Sequence, residues 1–359
     1  MFSDFIDVKH GVRTPVENAP VRMPFLQRSH HCWAVLLAGG DGTRLQNLTL
    51  KIAGDSRPKQ FCSIFGGESL LAQTRARLES IVHVERELFV VTRTHETYYR
   101  AELGDVNESR IIPQPLNRGT GVAVALALLH ILQRDADPVV AFVPCDHYYS
   151  DTEAIVRTIR AAIYSAEQFP DSVVLVGAKA HYPEVEYGWI EPGAAISHPL
   201  TPLVRVNRFW EKPSLRQAQA LLRSGCLWNT FVTVGHATAF LDLVRLQVPD
   251  VVRSLSKAFA NNELDAAYRV MPVVDFSRQV LAPQPHRLLA VPDTTSGWAD
   301  LGSAPRVMDI LARNKIHPAW LRDGHNPSVA NAVDRHPTRH GDARQDPATN
   351  APPKKEDQR

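Results

Sequence analysis

From residue 32 to residue 178, short runs rich in Val, Leu, Ile and Phe alternate with segments of helical spacing. Few architectures satisfy that rhythm. Residues 33–38, 87–92, 110–112, 138–146 and 172–178 read as strands, and 68–82, 94–103, 119–135 and 152–166 read as helices. Buried strands joined by helices predict an α/β fold with a mostly parallel sheet covered on both faces. After residue 180 the pattern changes. Segments 187–193, 206–213 and 228–234 look like extra strands separated by a helix over 214–224, a smaller β-rich portion. Helical stretches follow from 237 to about 276, then a last strand at 286–292 and a last helix at 303–314.

The ends of the chain behave differently. Residues 1–31 form an N-terminal extension with no clear periodicity over 1–22, and Met23 is an alternative start. Residues 327–359 are polar and rich in Pro, Asp, Arg and Lys. Such a tail cannot bury enough apolar surface to offset its conformational entropy, which predicts disorder. The folded domain therefore occupies 32–315.

Composition excludes several function classes. Among 359 residues, 40 basic and 38 acidic side chains leave a net charge of +2, so no overall field recruits nucleic acid or an anionic membrane. Four cysteines, Cys32, Cys62, Cys145 and Cys226, are too scattered for a zinc site and too few for a disulfide scaffold, which favours a reduced cytoplasmic setting. No apolar stretch approaches the roughly 20 residues of a membrane span. Segment 25–40 imitates a secretion signal, but its apolar run leads into a motif that cleavage would destroy.

That motif is "LLAGGDGTRL", residues 36–45. It follows a strand, and parallel α/β sheets bind ligands beyond the carboxyl ends of their strands. Glycines there let main-chain N–H groups approach phosphate oxygens. The bland alternative is a glycine-rich turn, since glycine fingerprints alone are weak. A P-loop is excluded because Gly42 is followed by Thr43 and Arg44. A dinucleotide fingerprint, and with it an NAD-dependent oxidoreductase, is excluded because Leu45 stands where a third glycine should open a helix. The stretch from Gln46 to Thr49 reads as irregular. "SRPKQF" then adds Arg57 and Lys59, so three glycines with Arg44 and Lys59 can neutralise a triphosphate.

"LAGGDGTRL" followed by "RPKQF" resembles the signature of sugar-1-phosphate nucleotidylyltransferases, closest to the mannose-1-phosphate guanylyltransferase branch. The resemblance covers roughly residues 32–315 and implies the nucleotide-diphospho-sugar transferase fold, a Rossmann-like sheet with helices on both faces. It carries nucleotide-binding roles to Leu37, Ala38, Gly39, Gly40, Gly42 and Thr43. It also makes Arg44 and Lys59 the residues that stabilise the pyrophosphate leaving group. Gln46 and Asn47 replace the family's Trp-Pro or Tyr-Pro.

Further motifs follow in the family's order. Asp146 in "FVPCDH" and Asp300 in "GWADLGS" match the two metal-binding carboxylates of the family, implying Mg2+ as cofactor. "YGWIE" with Gly188, "FWEKP" with Glu211 and Lys212, and "WNTFV" with Asn229 resemble its sugar-phosphate-binding elements. "NRGTG" occupies the place of the base-recognition segment, with Arg118 and Thr120 around a purine. The bland reading makes Thr120 a helix N-cap, which is compatible with the first. The activity implied is formation of GDP-mannose from mannose-1-phosphate and GTP with release of pyrophosphate, and a homodimer is compatible with it. Two alternatives stay open: the same chemistry with another base or sugar, such as UTP and glucose-1-phosphate, and a non-catalytic sugar-nucleotide-binding regulatory protein.

Overall fold

The computed structural model describes residues 31–198 and 201–322, so most of the N-terminal extension and the whole polar tail lie outside the described residues. Strand β1 (Cys32–Leu37) runs into the glycine loop. A 3₁₀ turn at Thr43–Leu45 and helix α1 (Gln46–Ala53) follow, then α2 (Leu70–Leu78), β2 (Glu87–Thr92), α3 (Glu96–Glu102) and β3 (Ile111–Gln114). Next come α4 (Thr120–Leu132), β4 (Val139–Pro144), the short β5 (His147–Tyr148), α5 (Thr152–Gln168) and β6 (Val173–Lys179). The second half contains β7 (Gly188–Ile196), β8 (Leu203–Glu211), α6 (Leu215–Arg223), β9 (Leu227–His236), α7 (Ala237–Gln247), α8 (Pro249–Asn261) and α9 (Leu264–Val270). It ends with β10 (Leu288–Asp293), the short β11 (Ala299–Asp300), α10 (Ala304–Arg313) and α11 (Ala319–Arg322).

The sheet has nine strands in the order β3-β2-β1-β4-β9-β6-β10-β8-β7. Strands β3, β2, β1 and β4 pair parallel, as do β6 and β10, while β9 lies antiparallel between β4 and β6. The β-rich portion is therefore no separate layer. Strands β7 and β8 pair antiparallel at one edge of the same sheet, and β7 also pairs with β9.

Side-chain alternation along β1 shows how the two cores arise. Cys32, Ala34 and Leu36 pack against α2, α3 and α5 on one face. Trp33 and Val35 pack against α4, α7 and α8 on the other. This period of two is what a strand covered on both faces requires. A third cluster joins Leu45, Leu48, Cys62 and Ile64 to Leu301, Val307, Ile310 and Leu311. That cluster docks α10 beside the glycine loop, which is what carries Asp300 across the chain to residues near its beginning.

Two local expectations fail. The stretch after Leu45 is helix α1, closed by Gly54, rather than irregular. Thr120 is the first residue of α4, not its N-cap. Gly119 holds the cap position, and Thr120 Oγ1 accepts a hydrogen bond from Phe276 N (3.1 Å).

Candidate functional site

The glycine loop leaves β1 at the carboxyl edge of the sheet. Ala38 N still bonds Val90 O (2.9 Å), and Leu37 is the last strand residue. Beyond it, Thr92 Oγ1 donates to Gly39 O (2.8 Å), and the buried Gln60 amide donates to both Ala38 O and Gly40 O (2.8 Å each). These bonds hold the carbonyls back. Among the described residues, the main-chain N–H groups of Gly39 to Gly42 have no hydrogen-bond partner. Unpaired amides succeeding one another form a cradle for an anion.

Gly42, Thr43 and Arg44 share a cleft with Lys59, Asp146 and Asp300. Lys59 is 7% exposed, and its ammonium is the meeting point of the acids. Nζ stands 3.1 Å from Asp300 Oδ1, 3.3 Å from Asp146 Oδ2 and 3.0 Å from Leu301 O. The two carboxylates thus converge on one cation. Burial works against the lysine charge, but the two aspartates outweigh it and raise its pKa. Burial likewise opposes the Asp300 charge, and Lys59 with Arg306 outweighs it and holds the carboxyl below its usual range.

His147 lies against the pair, with Nε2 3.7 Å from Asp146 Oδ1 and 4.0 Å from Asp300 Oδ1. Trp298 Nε1 lies 3.1 Å from His147 Nδ1. An indole N–H can only donate, so Nδ1 is the acceptor and the ring proton sits on Nε2, facing the carboxylates. Burial lowers the His147 pKa against the pull of both acids.

At the β7–β8–β9 edge, Gly188 pairs with Glu211 across β7 and β8, and Trp189 pairs with Trp228 across β7 and β9. The register brings Gly188, Glu211 and Asn229 together: a Cβ on Gly188 would lie 2.9 Å from Glu211 Oε2 and 3.2 Å from Asn229 Cβ. Lys212 is exposed at the end of β8, and its N–H donates to Tyr187 O (3.1 Å). Burial, reinforced by Asp275, pushes the Glu211 pKa up to about 7 against Lys212 and Arg278.

The other expected arginines differ in what they hold. Arg118 spends its guanidinium on Tyr268 O (2.7 Å) and Arg269 O (2.9 Å), the carbonyls of α9. Arg57 closes a local pair with Asp55 (2.7 Å). Arg44 is open to solvent, 3.8 Å from Glu186 across the cleft. Gln60, His147 and Arg306 were not singled out from the sequence. Gln60 and His147 carried a local signal, lying directly after Lys59 and Asp146, and Arg306 carried none.

With this geometry in view, the comparisons with known proteins are specific. The family model described as nucleotidyl transferase matches residues 33–315, and the chain belongs to that family. It is 31% identical over 313 residues to the mannose-1-phosphate guanylyltransferase of Escherichia coli, covering 81% of this chain and 64% of that protein. It is 30% identical over 288 residues to the xanthan biosynthesis protein XanB of Xanthomonas campestris pv. campestris (strain B100), covering 77% and 58%. The chain thus spans about three fifths of the curated relatives it matches. A solved structure named as a mannose-1-phosphate geranyltransferase from Thermus thermophilus superposes with a TM-score of 0.68 at 30% identity, covering 76% of each chain.

Proposed function

We propose that this chain transfers the nucleotidyl group of GTP to mannose-1-phosphate, forming GDP-mannose and releasing pyrophosphate. The observation that carries the reading is the convergence of Asp146 and Asp300 on Lys59 beside a loop of unpaired amides. A phosphate oxygen of the sugar-1-phosphate attacks the α-phosphorus in line, a new P–O bond forms, and the bond to the β-phosphate oxygen breaks. No side-chain nucleophile is needed, because the attacking phosphate is already anionic at neutral pH. Catalysis is then positioning and charge neutralisation.

The roles follow position. The amides from Gly39 to Gly42 hold the triphosphate, and Arg44 and Lys59 receive the charge of the leaving pyrophosphate. Gly188, Glu211, Lys212 and Asn229 hold the sugar phosphate. The donor set fits magnesium: two carboxylates, 32% and 17% exposed, open on the cleft where phosphate oxygens would complete the coordination. Bound there by Asp146 and Asp300, Mg2+ would supply charge neutralisation of the phosphates. Four free, buried cysteines support a reducing, cytoplasmic setting. Among the described residues no helix is long and apolar enough to cross a membrane.

Another base or sugar, such as UTP with glucose-1-phosphate, is the second reading. It stays open because Arg118, expected at the base, is engaged by backbone carbonyls, which leaves no base contact among the described residues to distinguish guanine. A panel of GTP, ATP, UTP and dTTP against mannose- and glucose-1-phosphate, read by pyrophosphate release, tests both. Highest kcat/KM with GTP and mannose-1-phosphate is expected. Preference for another pair moves the reading to that pair, and no release with any pair overturns the enzymatic reading.

A further inference from the structure

Asp300 is held from two sides. Lys59 takes Oδ1, and Arg306 Nη1 approaches Oδ2 at 3.3 Å. Arg306 comes from the first turn of α10, where its N–H is capped by Ser303 Oγ (3.4 Å). Its guanidinium lies over the Tyr187 ring, with Cζ 4.9 Å from the centroid, and its Nη2 stands 2.5 Å from Glu184 Oε2.

Glu184 is itself fixed. Its Oε1 accepts the N–H groups of Val185 and Glu186 (2.9 Å each), and its carbonyl accepts Trp189 Nε1 (2.8 Å). Gly302 makes the contact with Asp300 feasible. A Cβ there would lie 2.7 Å from Asp300 Oδ2 and 2.9 Å from Arg306 Nη1. The relay Glu184–Arg306–Asp300 is largely buried, unlike the solvated ion pairs that contribute little. It ties a carboxylate of the cleft to the segment that leads into Gly188.

We propose that Arg306 is a positioning residue that aligns Asp300 and keeps divalent-cation affinity low until a triphosphate brings the cation with it. This rests on the reading of Asp146 and Asp300 as cation ligands. A guanidinium in contact with Asp300 repels a second cation on the same carboxylate, and the repulsion is strong where water is partly excluded. The triphosphate's negative charge reverses that balance. Arg306 reaches Asp300 through Nη1 and Glu184 through Nη2, a two-nitrogen planar geometry that a Lys ammonium at this position does not reproduce.

The test is Mn2+ binding to the purified full chain, followed by electron paramagnetic resonance of free Mn2+, without nucleotide. Arg306→Ala is expected to bind Mn2+ about fivefold or more tighter than wild type, while its kcat for pyrophosphate release falls. Arg306→Lys, which keeps the charge, should retain wild-type Mn2+ affinity and still lose kcat. A merely structural role would move affinity and turnover downward together. Arg306→Gln carries the same expectation should the alanine variant fail to fold by circular dichroism. Mn2+ binding that survives Asp146→Ala and Asp300→Ala overturns the cation-site reading itself. Binding lost in those variants but no tighter in Arg306→Ala and Arg306→Gln overturns the assignment of Arg306 alone.

Discussion

Lys59 and Asp300 lie 241 positions apart in the chain, yet the lysine's Nζ stands 3.1 Å from Asp300 Oδ1. The contact exists because α1 and α10 share one apolar cluster. Asp146 completes the group at 3.3 Å, so one buried ammonium contacts both acids while Arg306 holds the other oxygen of Asp300. Lys59→Met should therefore lower kcat by about 100-fold or more, the scale on which loss of a preorganised donor acts. It should also destabilise the fold by about 1–3 kcal/mol, since both acids lose a shared partner while Asp300 keeps Arg306. Asp300's depressed pKa contributes stability above its unfolded value and loses it as pH falls. The gap between variant and wild type should accordingly shrink on acidification. Urea denaturation at pH 7 and pH 4 measures this, and a gap that widens toward pH 4 would contradict it.

Gly188 offers a test of the proposed sugar-phosphate role of the β7–β8–β9 edge. A Cβ at this position would press on Glu211 Oε2 and Asn229 Cβ. Gly188→Ala should raise KM for the sugar-1-phosphate about tenfold, a loss of about 1.4 kcal/mol, while leaving KM for the nucleoside triphosphate unchanged. Equal rises in both constants would dissociate this cluster from sugar recognition.

Gln60 tests the anion cradle. Its amide satisfies Ala38 O and Gly40 O, and Gln60→Leu leaves both carbonyls without that partner. Stranding the buried Ala38 O costs about 1–3 kcal/mol, whereas the carbonyl of exposed Gly40 can turn to water. The loop should loosen, raising KM for the triphosphate more than KM for the sugar phosphate. Unchanged triphosphate KM would mean that the loop holds its shape without Gln60.

Much of this arrangement was legible in the residues. The run from Glu87 to Thr92 is a strand from end to end, because an apolar β-rich stretch bounded by polar segments has little alternative. The motifs of the resemblance fall into two groups in space: Gly42, Lys59, Asp146 and Asp300 share one cleft, and Gly188, Glu211 and Asn229 meet at the β7–β8–β9 edge. Strand direction was not legible. Residues of β9 look the same parallel or antiparallel, and only pairing with β4 and β6 reveals the reversal. Helix α1 was hidden by Gln46, Asn47 and Thr49, polar residues whose helix rests on burying Leu48 against the third cluster. Arg118 shows the converse. Its position in a motif suggested a ligand contact, whereas the carbonyl ends of α9 that claim it lie 150 residues away.

Glu87 opens β2, and it supplies a pH signature of the fold. It is buried, with Oε1 unpartnered among the described residues. Burial pushes its pKa up to about 7, with Arg75 and Arg110 pulling down and Glu79 and Asp105 pushing up. An acid whose pKa is higher folded than unfolded binds more protons in the native state between those two values. Stability therefore falls as pH rises from about 4.5 to about 7, then levels off. Glu211, also raised to about 7, adds to the same slope. Glu87→Gln removes the Glu87 share. It should stabilise the protein at pH 8 by on the order of 2–3 kcal/mol at most, and by much less at pH 5. Urea denaturation of both proteins at the two pH values reads the difference directly. A gain of equal size at pH 5 and pH 8 would show that packing, rather than the cost of ionising a buried carboxyl, sets the effect.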